Sequence, residues 1–411
     1  MKRRITIFFV LLLALALTGA VFAGGGGETS GGAGDTEGET AAGGMSNLEK
    51  SLAVDTSTLK SEDGQPLIIL QEKQREVPAR PSDPDALPED NPLHWWDIEF
   101  AGWNANKRNI PESPKDGAIG KRIVFIVHGD HPWTTACTLG AQKIADAYDM
   151  EFKPLSPNWD LAVQNQMIDQ AINERPDMIL LIPLDAKTAP QQARKVNQAG
   201  IPLILFNTLP SAAAMDYCIT WTGPDDFGQF RMLSRVWADE MKRIHGTADV
   251  GVAYTQHAPG GSPYFARCWG PISELSGYAS WVKTLDKQAP GFEADKTMQL
   301  VSDWLTRFGD DLKGICAADD SAQALGIFEA LEKAGRTDVV VIAAGNSKVG
   351  MDLVKEGKLF AITYQTAEGD GALAVQTAAD WFNGKEIPPV KYLPKHIITK
   401  ADVQEFYPPQ W

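Results

Sequence analysis

A regular alternation of short apolar runs and amphipathic segments begins at Lys121, and it constrains the fold more than any other feature of the sequence. The first run, 122–127, is continuously apolar after Arg122 and rich in β-branched residues, as strands buried on both faces are. The same pattern predicts further strands at 151–154, 178–182, 203–206, 218–221, 250–254, 281–284, 314–317, 339–343 and 360–364. The intervening segments predict helices at 134–148, 161–174, 188–199, 227–245, 267–275, 295–308, 322–334, 349–356 and 372–383.

Strand–helix alternation of this kind indicates parallel sheets whose strands are joined by right-handed crossovers. The number of predicted strand–helix units exceeds what one hydrophobic core accommodates. We therefore predict an α/β fold with two doubly wound parallel-sheet lobes.

The first residues of the chain have the three parts of a secretory signal. Lys2, Arg3 and Arg4 form a cationic region. An apolar stretch follows at 5–17, and small residues then lead to Ala23. This pattern predicts a cleaved signal peptide over 1–23, with an uncleaved membrane anchor as the alternative. No cysteine directly follows the apolar run, so we expect an exported, periplasmic protein that is not a lipoprotein.

Residues 24–44 are rich in Gly, Ser, Thr and acidic residues, which predicts a flexible linker. The formal net charge of the chain is −15, and cleavage after residue 23 would remove three basic residues and leave −18. A chain this acidic is not expected to bind nucleic acid.

An N-terminal arm, 45–118, is rich in Pro and acidic residues but also contains Trp95, Trp96 and Trp103. Three tryptophans so close together are not expected to remain in water, so we predict that the arm packs on the main body. An aromatic docking patch for a partner is the alternative.

Four cysteines are scattered over four separate predicted elements, and no two of them form a Cys-x-x-Cys pair. An exported protein meets an oxidising compartment that permits disulfides, but scattered cysteines in a large domain are also commonly buried thiols. The sequence leaves both possibilities open for Cys137, Cys218, Cys268 and Cys316.

Polar and aromatic residues follow the predicted strands, at the positions where parallel α/β sheets bind ligands. Amide and carboxylate groups supply the donors and acceptors that hydroxyl groups need, and a tryptophan face covers the apolar side of a sugar ring. These positions therefore favour a neutral polyhydroxylated ligand. The predicted ligand-binding residues are His131, Trp133, Asp185, Asn207, Arg267, Asp319, Asn346 and Gln365.

Several short pieces of the sequence carry a resemblance to a known family. They are Gly-Ala-Gln-Lys at 140–143, Asn-Gln-Ala-Gly-Ile-Pro at 197–202, Asp-Asp at 319–320 with Ala-Leu-Gly at 324–326, Glu-Gly-Lys-Leu at 356–359, and Gln365. With these pieces in this order, the chain from about Lys121 to Thr399 resembles the ribose/galactose-type periplasmic sugar-binding proteins. The resemblance implies the type I solute-binding fold served by ABC transporters.

This resemblance implies a hinge of three segments, near Gly223, Gln365 and Tyr392. The lobes would then comprise 119–223 plus 366–392 (the N-lobe) and 224–365 plus 393–411 (the C-lobe).

The resemblance also implies roles for individual residues. His131 stands where the family has a polar residue after the first strand, and Trp133 stands where it has a stacking aromatic. Arg267 matches the pocket arginine that opens a helix in the second lobe. Gln365 matches the glutamine at the hinge end of the last C-lobe strand.

Asp319 falls at the family's Asn-Asp ligand site, although a one-residue insertion leaves Ala318 or Asp320 as alternatives. Arg267 paired with Asp319 or Asp320 could also be a structural ion pair rather than a set of ligand contacts.

Two departures from the family pattern predict an atypical pocket. The family's Asp-Arg after the fourth N-lobe strand is Asn207-Thr208 here. Its Phe-Asp near an exit of the second lobe is Ala344-Gly345, followed by Asn346. One sugar-binding aspartate and one stacking aromatic are therefore absent from these positions, so ribose itself is a poor candidate ligand.

Other readings of individual residues are also open. The segment 128–131, His-Gly-Asp-His, could suggest zinc, but we expect no metal because a distant ligand is not evident. Trp237 and Trp304 stand at helical spacing among apolar residues and predict core packing. Asp225 and Asp226 predict either a helix cap or a functional role.

Together, these patterns predict the solute-binding component of an ABC importer, which closes on a small sugar or polyol and docks as a monomer on a membrane permease. An exported sensor that presents its closed form to a chemoreceptor or sensor kinase is one alternative, and a non-sugar ligand is another. No nucleophile elbow, dinucleotide fingerprint or catalytic triad is evident, so we expect neither enzymatic activity nor a cofactor.

Overall fold

The structure, a computed structural model, describes residues 44–68, 75–248 and 250–411. The predicted signal peptide, 1–23, and all but the last residue of the predicted linker, 24–44, lie outside these ranges.

Within the described ranges, short strands and longer helices alternate along the chain. The strands are β1 Arg122–Ile126, β2 Glu151–Leu155, β3 Met178–Leu181, β4 Leu203–Phe206, β5 Trp221–Gly223, β6 Val250–Thr255, β7 Val282–Gln288, β8 Leu312–Ala317, β9 Val340–Ala343, β10 Ala361–Thr363, β11 Val390–Tyr392 and β12 Ile397–Thr399. The helices are α1 Asn47–Leu52, α2 Trp96–Glu99, α3 Pro132–Ala147, α4 Leu161–Glu174, α5 Ala189–Gln198, α6 Ala212–Met215, α7 Asp226–His245, α8 Ser262–Tyr278, α9 Ala294–Phe308, α10 Ala322–Lys333, α11 Lys348–Glu356 and α12 Ala367–Phe382.

The strands form two separate sheets, and each sheet is the centre of one lobe. The N-lobe sheet has the order β11-β5-β4-β3-β1-β2, and the C-lobe sheet has the order β12-β10-β9-β8-β6-β7. Neighbouring strands run parallel, except that β12 pairs antiparallel with β10. The predicted fold class, two doubly wound α/β lobes, is confirmed.

Three segments carry the chain from one sheet to the other. The first joins β5 to α7, the second joins β10 to α12, and the third joins β11 to β12. Each lobe is therefore built from discontinuous parts of the chain.

The apolar runs are continuous because both faces of each sheet are covered. In β1, Ile123 and Phe125 belong to one buried cluster, whereas Val124 and Ile126 belong to another on the opposite face. The C-lobe has two corresponding clusters, and the predicted core residues Trp304 and Trp237 lie fully buried in one each. Alternate side chains of a strand point to opposite faces, so a strand covered on both sides needs apolar residues throughout.

Two glycines allow α3 and α12 to pack backbone against backbone in the N-lobe. A Cβ atom on Gly140 would lie 2.0 Å from the carbonyl oxygen of Glu368, and one on Gly371 would lie 1.9 Å from that of Cys137. This close contact fixes the start of α12, where the chain enters the N-lobe from the second connecting segment.

Several of the sequence-based boundaries are wrong. The helix predicted at 267–275 is α8, which begins at Ser262, so Arg267 lies inside this helix and does not open it. The strand predicted at 218–221 is β5, which begins only at Trp221, and the helix predicted from 372 begins five residues earlier, at Ala367. Glycines and acidic residues in 367–371 lower helix propensity, but the Thr366 side chain caps the first turn. Strands β11 and β12 are absent from the sequence prediction; each is three residues long and is identified by its pairing with a distant strand, β5 and β10 respectively.

The three tryptophans of the arm are largely withdrawn from water. Trp95 stacks on Trp269 of α8 with ring centroids 5.0 Å apart. Trp95 and Trp96 are 8% and 5% exposed, and Trp103 packs partly buried against an N-lobe cluster. These indoles pack on the body of the molecule, so they do not form an exposed aromatic patch for docking a partner, which was the alternative interpretation.

The arm also contacts the segments that connect the lobes. Arg75 pairs with Asp225 at the first segment at 2.7 Å, and Lys395 of the third segment pairs with the same carboxylate at 2.9 Å. At the second segment, the Tyr364 hydroxyl donates to Asp63 at 2.9 Å. The arm is therefore part of the structure around the hinge.

All four cysteines are buried free thiols in the structure. Across the part of the chain described here, no helix is both long enough and apolar enough to cross a membrane.

Candidate functional site

The strand exits of the two lobes lie opposite each other, since His131 before α3 is close enough to Asp319 after β8 for their charges to interact, and we call the region between these exits the cleft. The loops after β1 and β4 provide its N-lobe side, and the residues after β8 and β9 provide its C-lobe side. The lobes touch beside the cleft, where the amide of Leu209 donates to the Ser262 hydroxyl at 3.1 Å. A ligand in this cleft would be enclosed by both lobes.

On the N-lobe side, Asn207 is the centre of a polar network. Its amide nitrogen donates to Asp370 Oδ2 at 2.7 Å, and its Oδ1 lies 3.2 Å from His128 Nε2. Asn207 has φ 59, a left-handed conformation that Asn adopts more readily than most residues. The turn directs the amide toward the start of α12, where Asp370 lies in the first helical turn.

On the C-lobe side, Arg267 and Gln365 are the centre of a second network. Arg267 donates to the carbonyl oxygen of Ala318 at 2.8 Å and to Gln365 Oε1 at 3.1 Å. Gln365 donates in turn to Asp226 Oδ1 at 2.7 Å, and its backbone amide donates to Asn346 Oδ1 at 3.2 Å. The structure thus brings together three of the predicted residues, Arg267, Asn346 and Gln365.

The two networks are electrostatically connected across the lobes. Burial raises the pKa of Asp370 to about 8, the hydrogen bond from Asn207 opposes the rise, and the charge of Asp226 adds to it. The pKa of Asp226 is also raised by burial, although Arg267, 3.6 Å away, opposes the rise. Burial lowers the pKa of His128 to about 4, so this imidazole is neutral at pH 7.

Most charge in the cleft is therefore suppressed or compensated. Asp370 is mostly protonated at neutral pH, His128 is neutral, and Arg267 has the Asp226 carboxylate beside it. This environment favours a neutral ligand, because an ionic one would have to displace an existing partner.

Several buried polar atoms at the cleft have no hydrogen-bond partner among the described residues. In folded proteins the large majority of such atoms are satisfied, so a group of them at one place requires an explanation. A ligand rich in hydroxyl groups would supply the missing partners. The atoms are His128 Nδ1, Arg267 Nε, Asn346 Nδ2, Asp370 Oδ1 and Trp411 Nε1.

Aromatic rings line the N-lobe side around His128. Trp133 is partly buried against the N-lobe core, with its ring centroid 5.7 Å from that of His128. Trp159 also stacks on His128, with ring centroids 5.0 Å apart and an interplanar angle of 12°, and it is 54% exposed. His131 begins α3 as its N-cap, with Nδ1 accepting from the amide of Trp133 at 3.1 Å.

The alternative interpretation, a structural ion pair between Arg267 and Asp319 or Asp320, does not describe this structure. Arg267 pairs with Asp226 instead. The Asp319 carboxylate accepts from Ser321 and from the amide of Gln323, at the start of α10. It lies close enough to His131 for its charge to oppose the burial that lowers the pKa of this imidazole.

Asp320 is fully buried beneath this loop. Its Oδ2 accepts from the amide of Ser347 at 2.8 Å, so it stabilises the turn that leads into α11. Burial raises its pKa well above the ordinary range, and the neighbouring charge of Asp319 adds to the effect. Asp320 therefore supports the loop after β9 rather than forming part of the polar network.

Asp185 has a structural role in the N-lobe. Its Oδ1 accepts from the amide of Thr188 at 2.8 Å, just before α5. The structure does not bring this residue into the network around Asn207.

The described residues contain no group of three or more His, Cys, Asp or Glu side chains arranged to hold a metal ion. In the segment 128–131, His128 is engaged by Asn207 and Trp159, and Asp130 accepts from the Ser156 hydroxyl at 2.8 Å.

Sequence reasoning misses several residues of the cleft. It leaves Asp225 and Asp226 open between a helix cap and a functional role, whereas in the structure Asp225 is the N-cap of α7 and Asp226 lies in the polar network. Asp370 lies in the part of α12 that the sequence does not predict as helix, so its position beside Asn207 is not evident. Trp159 and Trp411 follow no strong strand pattern, and only a search for aromatic residues in loops would have found them.

Two doubly wound lobes, three connecting segments and a polar cleft between the strand ends define the class of type I two-lobe solute-binding proteins. The chain belongs to the periplasmic binding protein domain family, whose model matches residues 120–386.

The match extends over most of the length of the curated relatives. The chain is 27% identical over 285 residues to a xylitol-binding protein of Mycolicibacterium smegmatis, spanning 69% of this chain and 78% of that protein. It is 24% identical over 286 residues to a ribose import binding protein of Bacillus subtilis, spanning 70% of this chain and 88% of that protein.

Solved structures show the same fold. An ABC transporter solute-binding protein from Bacillus halodurans, with bound myo-inositol, aligns with a TM-score of 0.63 at 24% identity and covers 72% of this chain and 99% of that one. A periplasmic solute-binding protein from Actinobacillus succinogenes, with bound D-allose, aligns with a TM-score of 0.62 at 21% identity and covers 69% and 99%.

Proposed function

We propose that this protein is the solute-binding component of an ABC importer and binds a neutral sugar or polyol between its lobes. The single observation that carries this proposal is the set of unpartnered buried polar atoms contributed by both lobes, in a cleft whose charges are suppressed. Each such atom costs free energy unless a partner is supplied, and hydroxyl groups supply both donors and acceptors.

The chemistry of the cleft supports a neutral polyhydroxylated ligand over an ionic one. Arg267 already has Asp226 as a partner, so a ligand carboxylate would gain little from it. A protonated Asp370 adds a donor that suits a hydroxyl or ring oxygen. The related proteins whose names or bound molecules include xylitol, ribose and myo-inositol support the same class of ligand.

Binding would proceed by hinge closure. Ligand contacts from both lobes favour the closed state by the difference in affinity between the open and closed forms. The proposed contacts extend the set predicted from the sequence and leave Asp185 out, because its carboxylate caps the turn before α5. They are His128, His131, Trp133, Asn207 and Asp370 of the N-lobe, and Asp226, Arg267, Asp319, Asn346 and Gln365 of the C-lobe.

The finer points of the proposal rest on the sequence and the family. The cationic and apolar segments within 1–23 support export with cleavage of a signal peptide. The closed form would dock as a monomer on a membrane permease, and the protein would act without a cofactor and without enzymatic activity.

A ligand screen tests the proposal directly. The mature protein is melted with and without xylitol, myo-inositol, D-ribose, D-allose and a set of amino acids. A true ligand at about a hundred times its Kd stabilises the folded state by roughly 2.7 kcal/mol and raises the Tm. The proposed ligand class would be contradicted if only amino acids raised the Tm, or if no sugar or polyol did.

Arg267→Lys tests the geometry of the cleft. Lysine keeps a cation near Asp226 but cannot reproduce the two directed hydrogen bonds to Ala318 and Gln365, so the Kd of the ligand found in the screen should rise at least about tenfold. Isothermal titration calorimetry measures this change.

Arg235→Lys is the matched control, since this exposed arginine of α7 pairs with Glu274 outside the cleft. Its Kd should equal that of the unmodified protein. Equal affinities for both variants would show that Arg267 is not part of the binding site.

A further inference from the structure

Trp411 is held at a defined place beside the cleft. Its carbonyl oxygen accepts a 2.7 Å hydrogen bond from the amide of Lys348, the first residue of α11. The preceding residue, Gln410, is buried; it donates to Thr366 Oγ1 at 3.0 Å and accepts from the amide of Glu368 at 3.0 Å. Trp411 is therefore tied to α11 of the C-lobe and, through Gln410, to the start of α12 of the N-lobe.

The indole of Trp411 lies beside Gly345, where the chain leaves β9. A Cβ atom on Gly345 would lie 3.4 Å from Trp411 Cη2 and 2.6 Å from Asp320 Oδ1. Gly345 also has φ 110, a conformation in which a side chain would be strained. This strand exit therefore has no room for a side chain of its own, and Trp411 supplies the aromatic group there.

The same indole faces the N-lobe. The ring centroids of Trp411 and His131 are 5.8 Å apart, at an interplanar angle of 57°. Trp411 thus lies between the exit of β9 on one lobe and the start of α3 on the other. A ring in this position is available to contact a ligand held between these two strand exits.

The indole nitrogen lacks a partner. Trp411 Nε1 is buried and has no acceptor among the described residues. Asn346 Nδ2, one residue beyond Gly345, is also a buried donor without an acceptor among them. An indole N–H is a donor only, and buried ones usually find an acceptor. Two unpartnered donors at one strand exit point to an acceptor supplied from outside the protein.

We infer that Trp411 is a specificity-determining residue of the ligand cleft. Its ring covers the apolar C–H side of a bound sugar or polyol, and its N–H donates to one hydroxyl oxygen. This inference rests on the proposed function and assigns one wall of the cleft to a residue far in sequence from the strand exits. If Trp411 were instead a plug that blocks the cleft, it would compete with the ligand, and replacing it would tighten binding.

Two substitutions separate the ring from its N–H. Trp411→Leu keeps an apolar side chain but removes the flat aromatic surface, and Trp411→Phe keeps a ring but removes the donor. For xylitol, myo-inositol and D-ribose, calorimetry should show that Trp411→Leu weakens the Kd at least about tenfold and that Trp411→Phe weakens it about three- to tenfold. Tyr278→Leu, at an exposed aromatic of α8, is the control and should leave the Kd unchanged.

A spectroscopic readout covers the case in which Trp411→Leu fails to fold. In protein labelled with ¹⁵N at tryptophan, the indole resonance of Trp411 is the one missing from the Trp411→Phe spectrum. Saturating ligand should shift this resonance in the otherwise unmodified protein. An unshifted resonance would overturn the inference without requiring the Leu variant.

The outcomes distinguish this inference from the function on which it rests. If the unmodified protein binds none of the three probes, the proposed function fails and the inference fails with it. If the unmodified protein binds a probe and both Trp411 variants bind it equally well or more tightly, only the inference fails. Weaker binding by both variants with an unchanged control supports both.

Discussion

At the scale of single residues, the cleft is a set of side chains whose ionisation the fold has altered. Asp370 is buried at the start of α12, and among the residues that the structure describes only Asn207 donates to its carboxyl group. Its pKa of about 8 lies far above the ordinary value of 3.8, chiefly because burial disfavours the charged form. The site therefore holds a proton that the unfolded chain would release.

This proton makes stability depend on pH. From about pH 4 to about pH 8 the unfolded chain loses the Asp370 proton while the folded protein keeps it, so the contribution of Asp370 to stability should fall as the pH rises. Asp226, whose pKa is also raised, contributes in the same direction. His128 acts in the opposite direction below about pH 6.5, because its pKa is lowered to about 4, so the test is a comparison of two proteins. With rising pH, Asp370→Asn should lose less stability or gain more than the unmodified protein, as measured by urea unfolding across the window. Asp149→Asn, at an exposed turn, is the control, and a profile of unchanged slope in Asp370→Asn would contradict the assignment.

At the scale of elements, the position of the cleft depends on how closely α3 and α12 approach each other. Both helices begin beside the cleft, with His131 as the N-cap of one and Asp370 in the first turn of the other. Their backbones come together at Gly140 and Gly371, where no side chain fits. The helix contact thus sets the distance between the loop after β1 and the second connecting segment.

A methyl group at this contact should be costly. Gly140→Ala places a Cβ atom 2.0 Å from the carbonyl oxygen of Glu368, and the helices must separate to accept it. We expect a loss of about 1–3 kcal/mol or more in the free energy of unfolding, measured by chemical denaturation. Gly277→Ala in α8 meets no atom within 4 Å and should instead stabilise by up to about 1 kcal/mol. Similar effects of the two substitutions would show that the contact is not tight.

At the scale of the whole molecule, the arm is an integral part of the fold. Trp95 and Ile98 extend a C-lobe cluster, whereas Trp103 packs on an N-lobe cluster. Arg75 and Asp63 reach two of the connecting segments. Because the arm contacts both lobes and the hinge, it contributes to the stability of the folded protein. The family pattern alone does not include this contribution.

Removing the main anchor of the arm should therefore destabilise the protein. Trp95→Ala deletes an indole that is 8% exposed and stacked on Trp269, and losses of about 3–5 kcal/mol are usual for such truncations. Scanning calorimetry should show a lower Tm. Leu52→Ala, also in the arm but 56% exposed, should change stability by less than about 0.5 kcal/mol. Equal melting of both variants would mean that the arm is not held by Trp95.

Local sequence patterns are sufficient to predict the two-lobe α/β architecture and the class of cleft. Continuous apolar strands and amphipathic helices are local features, and the geometry of parallel sheets places the residues after strand ends on one edge. For that reason the sequence predicts that Asn207, Asn346 and Gln365, which follow strand ends, share one site, whereas Arg267 is included because of the family resemblance. The fold then links each of them to a polar network.

The partners of these residues depend instead on tertiary packing. Arg267 pairs with Asp226 rather than with Asp319 or Asp320, and Trp411 lies beside Gly345 although 66 residues separate them in the numbering. Pairings of this kind arise when distant segments pack together, and no periodicity in the sequence encodes them. The pKa of Asp370 has the same origin, because burial is a property of the packed molecule and not of the local chain.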